Sequence, residues 1–478
     1  MILTDDIAAY VDQHAKTFTE LSDAIWDNPQ LRWTETDAVE RQIAMAEKHG
    51  FRITRDVAGL PTAFSAEYGE GGAVIAFLGE YDSLAGLSQA AGVPVQTRDP
   101  ANTTGNGQGC GHHLLGAGSL LAAVAVAEYL RAKGLPGRVR YYGCPAEEAA
   151  AGKTYMVKGG AYDDVDAAVT WHPMSGTMTR QALSLAYYQA YFHYSGVAAH
   201  AGASPHLGRS ALDAVELCNV GTNFLREHMP DSARIHYAIT DSGGVSPNVV
   251  QAQASVYYIV RATTAAEAKA LYHRVLKVAE GAALMTETEL TVEFDGACAE
   301  ILPNDVLEGV LHRNTFHLGG VPFDEADQET GRAFLAALEP ATVAAGRVFS
   351  GLDADDDKAL HDAVLPLNTS VPRWQASASS DVGDVSWVTP TVQISAACVP
   401  FGTPFHSWQL VAQGKLPAAH KGMIHAAKAI GATAAELLTD TAVLEEAKAE
   451  FRRVTKRTPY HCPIPDDVVA PPLRADAS

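Results

Sequence analysis

Three short apolar runs constrain this chain most: Val74 to Leu78 (VIAFL), Val139 to Gly143 (VRYYG) and Ala167 to Thr170 (AAVT). Segments of helical period, Leu114 to Ala132 among them, separate the runs. That alternation is the βαβ signature of a buried, mostly parallel central sheet, and so of an α/β fold. Sheets of this kind bind ligands beyond the carboxyl ends of their strands. Each run leads straight into polar residues: GEYD at 79–82, CPAEE at 144–148 and WHP at 171–173. A fourth buried run, TVQISAACVPF at 391–401, leads into GTPFHSWQ. The four strand ends are expected to meet.

Between about 187 and 296 the pattern changes. YYQAYFHY reads as a strand, GRSALDAVELCNVGTNFLREH as a helix, ARIHYAI and NVVQAQASVYYIVRA as two strands, TAAEAKALYHRVLKVAEGAALM as a helix and ELTVEFDG as a strand. The order β-α-β-β-α-β is that of a ferredoxin-like unit with an antiparallel sheet. A chain of 478 residues exceeds what one core usually organises. The expected organisation is a catalytic domain of residues 1–186 and 297–478 with the 187–296 unit inserted into it. The proline-rich PYHCPIPDDVVAPPL near the end reads as an extended tail laid over the surface.

A net charge of −21 argues against nucleic acid or an anionic membrane as partner and leaves small molecules or proteins. The longest uncharged apolar run, Leu114 to Ala127, is shorter than the roughly 18 residues of a membrane helix and reads as a core helix. MILTDDIAAY carries two aspartates where a secretory signal needs basic residues, and the six cysteines follow no disulfide spacing; both point to the cytoplasm.

The stretch GQGCGHHLLG, residues 107–116, sets a thiol and two imidazoles among glycines at the start of the core helix. A tight turn, a tolerant helix start or satisfied buried polar groups would each explain it, but Cys110 and His112 are also zinc-type donors that glycines can turn toward one point. The strand-end clusters add His113, Glu147, Glu148, His172 and His406. A two-metal hydrolytic site needs five or six such donors and a carboxylate left free as base, and the adjacent pair Glu147 and Glu148 suits that division.

GCGHHLLG, CPAEEAAAGK, WHP, GVAAHAGASPHLGRSALDA, SPNVVQAQASVYYIVRA, SSDVGDVSW and PFHSW resemble, in order and over nearly the whole chain, the amidohydrolase branch of the dinuclear aminoacylase and carboxypeptidase family. The resemblance implies that Cys110, His112, Glu148, His172 and His406 hold two divalent ions, with Glu147 as general base and Asp82 orienting a ligand histidine. It further implies that His200 of the lid reaches the site of a partner copy as oxyanion donor, and that Asn248 and Arg261 grip a substrate carboxylate. Thirteen residues separate that pair, so Asn248 is expected in the loop before the strand. Cysteine and histidine donors favour Zn2+, and the resemblance also admits Mn2+. The chain departs from the family at His113, where Asn or Asp is usual; a spare ligand, a substrate contact and a neutral replacement are the readings, the last preferred. Asp384 is expected to cap a turn.

The expected activity is metal-dependent hydrolysis of an N-acyl amino acid such as an aroyl-glutamate, by a homodimer joined through the lid. Two alternatives stand beside it: an amidase with Cys110 as nucleophile, and a non-catalytic subunit supporting a related partner.

Overall fold

The computed structural model describes residues 3–368, 370, 373–376 and 378–470. Among these, eleven strands follow in chain order: β1 (Arg52–Arg55), β2 (Phe64–Glu70), β3 (Val74–Glu80), β4 (Gly137–Cys144), β5 (Ala167–Met174), β6 (Met178–Thr179), β7 (Ala186–Ser195), β8 (Arg234–Asp241), β9 (Gln253–Ala262), β10 (Glu289–Cys298) and β11 (Thr391–Ala397). They form a seven-stranded sheet, ordered β1-β2-β4-β3-β5-β11-β6, and a four-stranded sheet, ordered β10-β7-β9-β8.

In the larger sheet, β4, β3, β5 and β11 run parallel. β2 joins β4 antiparallel, as β1 joins β2 and β6 joins β11. The four strands that the apolar runs predict are thus parallel, but the sheet as a whole is mixed, because the rim strands that the sequence does not announce add antiparallel. Only the central strands are buried on both faces: Ile75, Phe77 and Val169 enter one core, Val74, Ala76 and Ala168 the other. The rim strands are partly exposed or two residues long and leave no continuous apolar run to read.

The helix His112–Lys133 lies in the first core with Leu3–Asp27 and Pro417–Thr439. At 22 residues it is long and apolar enough to span a bilayer, which the shorter apolar run does not suggest, yet 94% of its most apolar window is buried inside the protein. Gly116 lets it sit this close, because a Cβ there would collide with the Glu80 carbonyl oxygen. Close approach brings the start of the helix to the ends of β3 and β5.

The smaller sheet is wholly antiparallel. The helices Ala211–Leu225 and Ala265–Thr286 cover one face and share a separate core containing Phe192, Val256, Tyr258 and Val275. Their N-caps are Ser210 and Thr264, whose hydroxyls accept from the Asp213 and Glu267 N–H, each worth about 0.5–2 kcal/mol. A register break between Phe294 and Gly296 leaves Asp295 out of the ladder, and such bulges re-aim side chains. Asp295 accepts from Tyr257 Oη (2.6 Å) and Gln189 Nε2 (3.0 Å) of its own sheet and, across to the large unit, from Arg32 Nη1 (2.7 Å). Arg32 also donates to the Ala149 carbonyl at 2.6 Å, tying the small sheet to the Glu147–Ala150 turn. The tail packs down through Tyr460, Cys462 and Ile464; its residues 471–473 lie outside the described ones.

Candidate metal centre

Cys110 and His112 flank Gly111, whose φ of 79° requires the left-handed region and whose Cβ would come within 2.8 Å of Pro173. The turn sets Cys110 Sγ 3.5 Å from His172 Nε2. His172 Nδ1 donates to its neighbour's carbonyl, Pro173 O, at 2.9 Å, which leaves Nε2 facing the cluster with its lone pair. Burial, then the charge of His112, holds His172 down at about 4, so its ring is neutral at pH 7.

His112 Nδ1 is 2.7 Å from Asp82 Oδ1, and Asp82 Oδ2 accepts the Glu148 N–H at 2.8 Å. One buried carboxylate thus orients an imidazole and the backbone of a neighbouring candidate ligand. His112 Nε2 lies 3.2 Å from Glu80 Oε2 and 3.9 Å from Glu147 Oε2. Glu148 Oε2 lies 3.2 Å from His406 Nε2. The backbone is strained where it presents these groups: Ala146 and Ala151, either side of Glu147–Ala150, and His406 all have positive φ, at about 1–3 kcal/mol each. Hydrogen bonds hold two of them, from the Ala146 N–H to Glu35 and from the His406 N–H to the Gly109 carbonyl.

The donor atoms of Cys110, His112 and His172 lie within 4.8 Å of one another, as do those of Cys110, Glu148 and His406. Glu80, His112 and Glu147 make a further group. The buried atoms His112 Nε2, Glu80 Oε2 and Glu148 Oε1 have no hydrogen-bond partner. Buried donor atoms left without hydrogen-bond partners are costly, and a divalent cation bound among them would satisfy them. The residues present therefore fit divalent metal ions, and the five residues expected as ligands come together in two groups that share Cys110.

Behind the cluster lies a buried ion network that the sequence does not announce. Lys153 Nζ is 2.6 Å from both Glu80 and Asp381, and all three side chains are at most 2% exposed. Its only trace in the sequence is a lysine inside the small-residue run EEAAAGK. Burial raises the Glu147 carboxyl well above its usual range, helped by Glu80 and Asp381. Burial likewise pushes the Cys110 thiol well up, followed by the charge of Glu148. A nucleophilic cysteine needs the opposite shift.

The cluster opens into a cavity of about 480 Å³, lined by Glu147, Arg180, Gln189, His236, Arg261 and Phe405 among others. Arg261 Nη1 donates to Ser379 Oγ at 2.6 Å, over the Tyr187 ring. Asn248 is in the loop before β9 and exposed. His200, also exposed, accepts the Gly202 and Ala203 N–H on Nδ1 and pairs with Val249 in an isolated bridge. Neither Asn248 nor His200 lines the cavity of its own chain. His113 points away from the cluster into the core, where Nε2 donates to the Gly414 carbonyl at 3.0 Å and burial lowers it to about 3. Asp384 is no turn cap: buried, it accepts from Thr154, Ala299 and Tyr460 and joins three segments.

A mixed α/β sheet with thiol, imidazole and carboxylate donors gathered at its carboxyl edge defines a metallohydrolase-type centre. Residues 76–466 match the model of Peptidase family M20/M25/M40, and the chain belongs to that family as a hydrolase of metallopeptidase type. It is 45% identical to one of the named subunits of p-aminobenzoyl-glutamate hydrolase from Escherichia coli strain K12, over 97% of this chain and 98% of that protein. Two solved structures share its fold at 17% identity. The aminobenzoyl-glutamate utilization protein of Klebsiella pneumoniae matches with a TM-score of 0.58, covering 90% of this chain and 97% of that one. A dinuclear metal-binding peptidase of the M20 family from Bacillus subtilis matches with a TM-score of 0.54, covering 90% and 99%.

Proposed function

We propose that this protein is a metal-dependent amidohydrolase that cleaves the amide of an N-acyl amino acid, with p-aminobenzoyl-glutamate the leading substrate. The observation that carries the reading is the pair of donor groups sharing Cys110, with the buried atoms His112 Nε2, Glu80 Oε2 and Glu148 Oε1 left without hydrogen-bond partners. Cys110, His112, Glu148, His172 and His406 hold two divalent ions, Zn2+ or Mn2+. Bound there, the ions polarise the scissile carbonyl and lower the pKa of water. Glu147 takes the proton of the attacking water and passes it to the leaving nitrogen. Asp82 keeps the His112 lone pair on Nε2. Arg261 faces a carboxylate of the substrate from the small sheet, a task suited to a guanidinium fork.

In this reading residues 187–296 form a ferredoxin-like lid and dimerisation domain inserted into a catalytic domain of 1–186 and 297–478. Two features support it: the separate core of the small sheet and the exposed edge strand β8. His200 and Asn248, side by side and away from their own cavity, serve the site of the partner copy, His200 as oxyanion donor. The Escherichia coli relative is named as one part of a hydrolase with more than one kind of chain, which favours a second assembly, in which a related chain completes the enzyme. The test is metal analysis of the purified single chain, with hydrolysis of p-aminobenzoyl-glutamate before and after chelator dialysis. Activity that survives removal of all metal overturns the mechanism. A metal-loaded but inactive single chain points to the two-chain assembly.

A further inference from the structure

A second group of metal-type donors lies far from the cavity. His14 is on the helix Leu3–Asp27, His49 caps the C-terminus of the helix Thr36–Lys48, and Glu128 is on the helix His112–Lys133. Glu128 is sixteen residues beyond His112 on one helix, about 24 Å along its axis, so the group is distinct from the catalytic cluster. His14 Nε2 is 2.9 Å from Glu128 Oε2, His49 Nδ1 is 3.9 Å from Glu128 Oε1, and one donor from each residue falls within 4.8 Å of the other two. The three side chains are 22%, 12% and 17% exposed respectively, closed in but reachable from solvent.

We propose that His14, His49 and Glu128 bind a Zn2+ ion that staples three helices of the large unit together. Two imidazoles and one carboxylate are a zinc donor set, and water completes the tetrahedron. Bonds of about 2.0–2.2 Å place tetrahedral donors roughly 3.5 Å apart, between the 2.9 Å and 3.9 Å found from Glu128 to the two imidazoles. The imidazole rings meet edge to face, 4.8 Å between centroids, and Phe18 packs on His49. Two cations compete: Arg131, 3.6 Å from Glu128 Oε1, and Lys48 near His49. The Arg131 side chain is 63% exposed and free to swing into water. Because the donors come from three helices, only the folded chain assembles the site, and zinc stabilises that state.

The site stands apart from the catalytic reading, because it is tested by a difference between proteins. Metal-free full-length wild type, His14→Gln and His49→Gln are titrated with Zn2+ against a chromophoric chelator, and their melting temperatures are compared with and without zinc. Wild type takes up one equivalent per chain more than either variant, whatever the catalytic cluster holds, and gains a larger thermal shift than either variant. Loaded with Co2+, wild type minus variant shows the visible d–d bands of a tetrahedral site. Two single variants guard against a folding defect in one. Equal zinc uptake in all three proteins, or a difference spectrum without d–d bands, overturns the site.

Discussion

Asp82→Asn tests how the catalytic cluster is wired. Asp82 is 1% exposed and uses both oxygens, one toward His112 Nδ1 at 2.7 Å, the other toward the Glu148 N–H at 2.8 Å. Asparagine has one oxygen and one NH2 of the same shape, and neither orientation works. With its oxygen toward His112, the NH2 meets the Glu148 N–H donor to donor. With the NH2 toward His112, the imidazole must accept on Nδ1, its proton moves to Nε2, and the lone pair available to a metal is lost. Either way one charge-assisted hydrogen bond goes, about 1.5–3 kcal/mol, and the expected loss in metal affinity is about 10–100-fold. The assay is zinc competition against a chromophoric chelator, with circular dichroism to establish that the variant is folded. Activity should return in excess metal. A folded variant with wild-type zinc affinity would refute the reasoning, because then either His112 is not a ligand or its tautomer does not depend on Asp82.

Glu147→Gln should lower kcat by about 10²–10⁴ with metal content near wild type, while Glu148→Gln should weaken metal retention; metal loss in the first variant would exchange the two roles. His200→Ala should cost about 10²–10³ in kcat. Mixed with inactive Glu147→Gln under conditions in which the chains of the dimer exchange, it should recover about a quarter of wild-type activity, since half the dimers then hold one complete site; confirmed exchange without recovery would confine His200 to its own chain. Arg32→Gln leaves Asp295 buried without its cation and should destabilise the fold by about 3–5 kcal/mol, read from denaturant midpoints; a loss near that of a surface pair, about 0–1 kcal/mol, would contradict the network. His113 is held neutral, its pKa lowered from 6.5 to about 3. The unfolded chain therefore binds a proton that the folded chain refuses, and stability should fall as pH drops through that window. His113→Asn should flatten the fall in midpoint between pH 6.5 and 3; an unchanged pH slope would refute the assignment.

Much of the centre was legible because its residue types carry chemistry wherever they occur. Cysteine, histidine and paired glutamate at four strand ends are few enough that chance does not explain them, and a sheet buried on both faces announces itself by apolar runs. The β-α-β-β-α-β order of the 187–296 segment could be read for the same reason, since its strands and helices keep their own periods. The rim strands could not: β2 and β6 owe their places to pairing with β4 and β11, distant in sequence, β1 is a four-residue strand added to β2, and solvent on part of their surface removes the signal.

Identity and spacing determined the parallel core, the run of strands and helices in the small unit, and the cluster of donors at the sheet's carboxyl edge. Only the tertiary structure decided what each donor does. His112 and His113 are adjacent and alike. The 100° turn between neighbouring helix residues sends one to Asp82 and the cluster, and the other under the Gly414 carbonyl as a neutral core residue. Glu80 and Lys153, 73 positions apart in the chain, become a buried pair because β3 and β4 lie side by side. Asp295 reaches Arg32 only because a bulge shifts it out of the ladder. Such relations depend on register, bulges and the burial of charge, which arise from the packing of distant segments and leave no periodic trace along the chain.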